Sequence, residues 1–412
     1  MKDYLVPFLN RFLHWFTVGI GTTVMSLMML SKGSTVETLG LITGFYSISI
    51  VVFEFPSGVL SDLMGQKRIY LFSLVLSIIG YATVLVTNHI AGLFAGFAFY
   101  GVSRAFSSGS LEALFISEYI QKNGKNTLHK FLGILNAGEI LGLAIGALVG
   151  GVIPMFWEKH LPAHNKYNGN LSIQILILVF LFLFTLVWVK DTHAVTCGNR
   201  SAGRHIKESL RMACSDRNFL LLLLGAATWG FCFNAVELYW QPKALSILGD
   251  ESQIWIFGII NSAYFLASLG GVGIISLIFR KGLPPSNFLL CIGRISMGVL
   301  IILMSFQEKI FSFSFVYLLL FMVNGMINIP ESTLLNSLIP DERRSSLLSL
   351  SSLTMQVGGI TGSLLFSLLV GSITISGIWM LSGAVFCLSG YLFLQIRKGK
   401  GEDPKASPKN YA

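Results

Sequence analysis

Charge is what this sequence has least of. Only 12% of its 412 residues are Asp, Glu, Lys or Arg, against 53% that are hydrophobic. A soluble domain carries about twice that charged share, and a chain this long needs a charged shell to stay dissolved in water. Lipid is the solvent that tolerates such a surface, because exposed apolar side chains cost nothing there. Cysteine is sparse as well. Cys197, Cys214, Cys232, Cys291 and Cys387 stand apart with no Cys-x-x-Cys pair, which argues against a disulfide framework or a zinc site. His160 and His164 fall four apart, but a proline separates them and no cysteine is near, so no metal is expected. There is no Walker loop and no nucleophile elbow, hence no ATP-driven pump, no enzyme and no cofactor is indicated. A net charge of +9 raises the question of nucleic acid, but the basic residues sit in short clusters without an aromatic-interleaved stripe, and no nucleic-acid partner is expected. No cleavable signal peptide is evident, since the first apolar run carries Arg11 and His14 and continues to Leu30.

What fills the chain instead is apolar runs of about 20 residues, the length that crosses a bilayer. They read as spans near 6–30, 39–61, 69–87, 91–117, 131–156 and 171–189, then 219–240, 253–278, 287–305, 313–336, 346–369 and 378–396. The expected fold class is therefore an all-α membrane protein, with twelve transmembrane helices in two six-helix bundles. Residues 1–189 and 219–396 form the bundles, 190–218 is a basic linker with room for one surface helix, and 397–412 is a tail. Basic residues collect on the cytoplasmic side of membranes. With both termini and the linker inside, that side holds Lys2, Lys67, Arg68, Lys122, Arg204, Arg280, Arg343 and Arg397, among others. The outside holds only Lys32, Lys159, Lys166, Lys243 and Lys309. Both termini are expected to be cytoplasmic, in a plasma membrane. The halves also echo each other: Gly142-x-x-x-Gly146 in the fifth span has a counterpart, Gly358-x-x-x-Gly362, in the eleventh. Internal repeats are the build of many secondary transporters.

Two motifs carry a resemblance. After the second span comes Gly58-Val-Leu-Ser-Asp62-Leu-Met-Gly65-Gln-Lys67-Arg68: a small residue for close packing, a carboxylate that can cap or pair, a turn glycine and two cations. The fifth span spaces Gly133, Gly142, Gly146, Gly150 and Gly151 so as to flatten one helix face for a neighbour. The first resembles the signature loop of the major facilitator superfamily, with Leu63 where a basic residue is usual. The second is similar to the glycine motif of that superfamily's drug/proton antiporters, with Ala147 where proline is usual. Phe53-Glu54-Phe55-Pro56-Ser57-Gly58 and Pro340-Asp341-Glu342-Arg343-Arg344 also resemble its bacterial efflux members, whereas the Arg280–Pro285 loop departs from the signature. The resemblance implies a monomer that transports a small-molecule substrate by alternating access, and it implies proton-coupled efflux of an amphipathic molecule. A proton-coupled nutrient symporter, for a sugar, peptide or metal chelate, and a lipid flippase stay open beside it.

Ionisable residues inside spans are expensive and tend to be functional. Glu54, Glu112, Glu139, Glu237 and Glu331 are the candidates for carrying protons, with Arg104 as a sixth group. Arg11 and His14 lie at a depth comparable to Glu54, Glu112 and Glu139, and Arg294 at one comparable to Glu331. Glu237 reads as standing apart, near the outer end of the seventh span. Trp229, Phe233, Asn234, Asn261, Tyr264, Asn324 and Asn328 are candidates to line a mixed aromatic and polar pocket.

Overall fold

The computed structural model describes residues 2–108, 110–124, 127–161, 164–190, 216–279, 285–338 and 344–396. Most of the expected linker (191–215), the tail (397–412), the loop at 280–284 and the segment 339–343 lie outside the described residues. The amino-terminal half contains α1 (Lys2–Thr22), α2 (Met25–Ser31), α3 (Val36–Met64), α4 (Gln66–Val86), α5 (Ile90–Ser107), α6 (Ser110–Asn123), α7 (Leu128–His160) and α8 (Asn168–Trp188). The carboxy-terminal half contains α9 (Arg217–Leu248), α10 (Trp255–Phe279), α11 (Ser286–Ser305), α12 (Ile310–Leu338), α13 (Arg344–Leu369) and α14 (Ile375–Leu394). No strand occurs among the described residues. Among the described residues, eleven helices are long and apolar enough to cross a membrane, α5 with α6 counting as one. The pair α1 and α2, bent by 51°, makes a twelfth span. An even number of crossings among the described helices returns the chain to its starting side, so the first and last described residues, Lys2 and Ile396, share one end of the bundle.

Helix periodicity explains the lipid-facing surface. On α8, Leu176, Phe180, Leu183 and Val187 fall at steps of three or four residues and are all exposed, while Asn170, Gln174 and Thr185 face inward and are buried. On α7 the exposed face is Leu141, Ile145, Leu148 and Val152. The opposite face of α7 is glycine. A Cβ on Gly142 would stand 2.5 Å from the carbonyl oxygen of Phe12, and one on Gly150 would stand 2.5 Å from that of Ile20, with Gly146 set against Phe16 between them. The first and fifth spans therefore pack backbone against backbone. The carboxy-terminal half repeats the device, with Gly358 set against Ala227 and Gly362 against Phe231. The sequence echo between the fifth and eleventh spans is thus a repeated packing seam. Gly133 is not part of it, as nothing lies within 4 Å of the place its Cβ would take.

Two contacts bring the halves together. Gly151 on α7 lies against Gly258 on α10, and Gly40 on α3 lies against the Ser363 carbonyl on α13. At the end opposite the termini, hydrogen bonds add to these contacts. Gln241 Nε2 donates to Thr22 O (2.7 Å) and Asn261 Nδ2 to Thr23 Oγ1 (3.0 Å). The Ser367 hydroxyl donates to the Glu37 carbonyl, and Lys166 pairs with Glu251. That end is closed. Lys32, expected on the outer side of the membrane, is buried there. Its ammonium donates to the carbonyls of Leu85 (3.1 Å) and Thr87 (3.2 Å), where α4 ends and its last carbonyls need donors.

Candidate functional site

On the termini side of the closed end, a cavity of about 380 Å³ lies between the halves. One wall comes from α3 and α5: Tyr46, Ser47, Ile50, Glu54, Arg104 and Ser108. The other comes from α9 and α13: Trp229, Phe233, Asn234, Glu237, Ser352, Met355 and Gln356. Both walls are stiffened by aromatic stacking. Tyr46 stacks on Tyr100 with centroids 5.2 Å apart, and Tyr100 packs on Tyr81 at 5.1 Å. Across the cavity Trp229 stacks on Phe233 at 4.7 Å, and its indole N–H donates to Asn324 Oδ1 at 3.0 Å. Asn234 accepts from the Ser363 hydroxyl at 2.9 Å. Two carboxylates face the space. Glu54 accepts from Gln356 Nε2 at 3.1 Å, a bond across the two halves. Glu237 lines the cavity with no hydrogen-bond or ion-pair partner among the described residues.

A second, smaller cavity of about 140 Å³ lies within the amino-terminal half. Arg11 on α1 forks between two carboxylates, with Nη1 3.0 Å from Glu112 on α6 and Nη2 2.6 Å from Glu139 on α7. One guanidinium thus neutralises two glutamates in place, as its fork geometry permits. His14, one turn along α1, shares a 3.1 Å hydrogen bond with the Tyr70 hydroxyl. Trp15 lies beneath both arginines, 5.5 Å from Arg11 and 5.0 Å from Arg104. Arg104 and Ser108 border both cavities, so the ion-pair cluster and the central space are contiguous.

The sequence candidates divide accordingly. Glu112 and Glu139 share Arg11; Glu54 and Glu237 face the central cavity, with Arg104 between the two sites. Arg294 and Glu331 pair at 3.2 Å inside the carboxy-terminal half. Arg294 is fully buried between the rings of Phe386 and Phe393, at 5.1 and 5.3 Å, and this pair lines neither cavity described above. Glu237, read as lying near the outer end of its span, is internal: α9 runs on to Leu248 and carries the residue into the cavity wall. Trp229, Phe233 and Asn234 line the cavity, whereas the other pocket candidates do not. Asn261 is spent on Thr22 and Thr23 at the closed end, and Asn324 stands behind Trp229 and holds its indole. Tyr264 joins an aromatic cluster, 4.0 Å from Phe321, and Asn328 is exposed away from the lining. Tyr46 and Gln356 escaped the sequence reading. A glutamine in an apolar span was the signal for Gln356, while Tyr46 is one tyrosine among many.

In the signature loop, Gly65 takes φ 93° between α3 and α4, a conformation that favours glycine, and its N–H donates to Ser61 O. Lys67 Nζ donates to Leu186 O at 2.9 Å, Arg68 is exposed, and Gly58 has open space at its Cβ position. Asp62 lies on α3, and its side chain is outside the described residues.

Comparison with known proteins agrees with this architecture. The chain is 23% identical over 408 residues to the uncharacterized MFS-type transporter YxaM of Bacillus subtilis strain 168, covering 95% of this chain and 96% of that one. It is 26% identical over 160 residues to the quinolone resistance protein NorA of Staphylococcus aureus, a match covering 37% of this chain and 39% of NorA. Among solved structures, the nucleoside transporter NupG superposes with a TM-score of 0.76 at 17% identity, over 97% of this chain and all of that one. A bacterial homologue of the human lysosomal transporter Spinster, in an inward-facing and unoccupied conformation, gives 0.69 at 12% identity, over 97% of this chain and 98% of that one. Residues 8–350 match the family model of the Major Facilitator Superfamily, and the chain belongs to that superfamily of membrane transporters.

Proposed function

We propose that this transporter exports small, planar, amphipathic cations from the cytoplasm across the plasma membrane in exchange for protons. The observation that carries this reading is the central cavity, where Glu237 has no protein partner among the described residues and stands in a wall whose stiff aromatic members are Trp229 and Phe233. Aromatic faces and a carboxylate together attract a flat organic cation. The same carboxylate holds a proton when the cation is absent, because a lone charge in a low-dielectric cavity is costly. Cation and proton would then compete for one group, which is the requirement of exchange. The Arg11–Glu112–Glu139 cluster borders the cavity through Arg104 and Ser108 and offers further proton acceptors on that route. With the termini cytoplasmic, the closed end is the outer one and the cavity is on the loading side. The partial similarity to NorA, a quinolone resistance protein, supports export. Rocking of the halves about the cavity then gives alternating access.

The test is transport by the purified chain in proteoliposomes of known orientation, with a fluorescent organic cation as probe. An imposed proton gradient is expected to drive the cation from the cytoplasmic face to the opposite face. Gradient-independent movement, or movement of neutral nucleosides in preference to the cation, would overturn the proposal.

A further inference from the structure

The bend in the first span coincides with a gap in its own hydrogen-bond ladder, where the rungs from Met25, Ser26 and Leu27 back to Gly21, Thr22 and Thr23 are unmade. In a continuous α-helix the Ser26 N–H would donate to the Thr22 carbonyl. Here the Ser26 N–H donates instead to Gln241 Oε1 at 2.9 Å, and Gln241 Nε2 donates to Thr22 O at 2.7 Å. One side-chain amide from the opposite half has replaced the rung and satisfied both of its ends. Side-chain insertion into the ladder is among the few causes of a sharp kink, and the two helical pieces diverge by 51° at this point. The exchange is mutual. Pro242 on α9 has no N–H, which leaves the Leu238 carbonyl without its helical donor. The Ser26 hydroxyl donates to that carbonyl at 3.1 Å. Gln241 and Ser26 are both buried, so none of these groups has water as an alternative.

We infer that Gln241 is the positioning residue that holds the first span bent, and that the span straightens when the two halves part at this end. This rests on the alternating-access reading above. Once Gln241 withdraws, Thr22 O and Ser26 N–H have each other. The rung they close is the middle one of the gap, beside which the Gly21–Met25 and Thr23–Leu27 rungs can re-form to give a continuous helix. The seventh span has no such remedy. Pro242 cannot donate in either state, so α9 has no rung to regain and the Leu238 carbonyl turns to water in the opened space. Opening is therefore lopsided: one span changes shape and its counterpart keeps its own. The clasp makes the first span a two-state element whose state follows the distance between the halves.

The test uses the full chain in lipid nanodiscs, with native cysteines replaced and two spin-label pairs measured separately. One pair, H160C with Q253C, spans the closed end and reads separation of the halves. The other, L5C with S31C, brackets the bend and reads straightening. From a rise of about 1.5 Å per residue, removing the bend lengthens the second distance by about 3 Å. Two populations are expected for each pair, with the longer distances rising and falling together as the fluorescent cation is added. Gln241→Leu, which keeps the bulk and removes both hydrogen-bonding groups, is expected to raise the open-to-closed ratio on the order of tenfold. Two distances across the halves with a single distance along the first span would overturn the role of Gln241 and leave alternating access standing. A single distance across the halves, in the wild-type chain with and without the cation, would overturn both.

Discussion

Replacing Gly142 with alanine tests whether the first and fifth spans are held by backbone contact. The added Cβ would lie 2.5 Å from Phe12 O, 2.9 Å from Phe16 N and 3.2 Å from Trp15 Cβ. Two of those three atoms are backbone, so no rotamer change relieves the clash. An ordinary contact at such a carbonyl is near 3.4 Å or more, hence the helices must move apart by nearly 1 Å along a seam that Gly146 and Gly150 also occupy. Overpacking of this kind costs about 1–3 kcal/mol. The gain in helix propensity from glycine to alanine returns at most about 1 kcal/mol. The net loss is up to about 2 kcal/mol for alanine, and more for leucine. At roughly 2–4 °C per kcal/mol for a unit the size of one half, the unfolding midpoint falls by several degrees. Gly133→Ala is the control on the same helix. It has open space, so propensity alone acts and the midpoint holds or rises. Both variants are compared with the unmodified chain by thermal unfolding in nanodiscs, and flux is measured alongside. If Gly142→Ala is as stable as Gly133→Ala, the seam is not what joins these spans.

Three further outcomes follow from the same geometry. Glu237→Gln is expected to keep expression and thermal stability, since the carboxylate has no protein partner to lose among the described residues, and to abolish the pH dependence of cation transport in proteoliposomes; a normal pH profile would remove Glu237 from the coupling. Arg294→Met leaves Glu331 without its partner and is expected to cost about 3 kcal/mol, the lower end for a broken buried pair because Glu331 keeps 27% of its side chain exposed. Adding Glu331→Gln to that variant is expected to recover most of the loss, and a double variant no better than the single one would show that the pair is not the cause. Single cysteines at Lys67, Arg204 and Arg397 are expected to resist an impermeant reagent applied outside intact cells, while one at Lys166 is labelled; labelling at Arg204 without labelling at Lys166 would reverse the assigned orientation.

The spans were legible in the sequence because bilayer thickness imposes a length that apolar runs must meet. Their ends were less so. The seventh span reads as stopping at Trp240, because Gln241, Pro242 and Lys243 look like a loop, yet α9 continues to Leu248. A serine from another helix supplies the bond that Pro242 leaves unmade, and no single span reveals a partner distant in sequence. The same extension moved Glu237 from the supposed rim to the cavity wall. Depth along a span identified Arg11 as a neighbour of Glu112 and Glu139, and Arg294 of Glu331, since helical rise is predictable. Helix facing was not predictable in the same way: Asn261 and Asn324 are polar residues in spans like Asn234, but Asn261 meets the first span, Asn324 holds an indole, and only Asn234 lines the cavity.

The two glycine seams also supply a common ruler for the halves. Gly142 meets the carbonyl of Phe12 as Gly358 meets that of Ala227, and Gly146 meets that of Phe16 as Gly362 meets that of Phe231. Counted from those fixed points, Arg11 stands where the other half has Ala226, His14 where it has Trp229, and Glu139 where it has Met355. The architecture is duplicated and the chemistry is not. At these three positions one copy carries charged or titratable groups and the other alanine, tryptophan and methionine, while Glu237 on α9 matches Thr22 on α1, so one duplicated scaffold sets its titratable groups at different levels in its two copies.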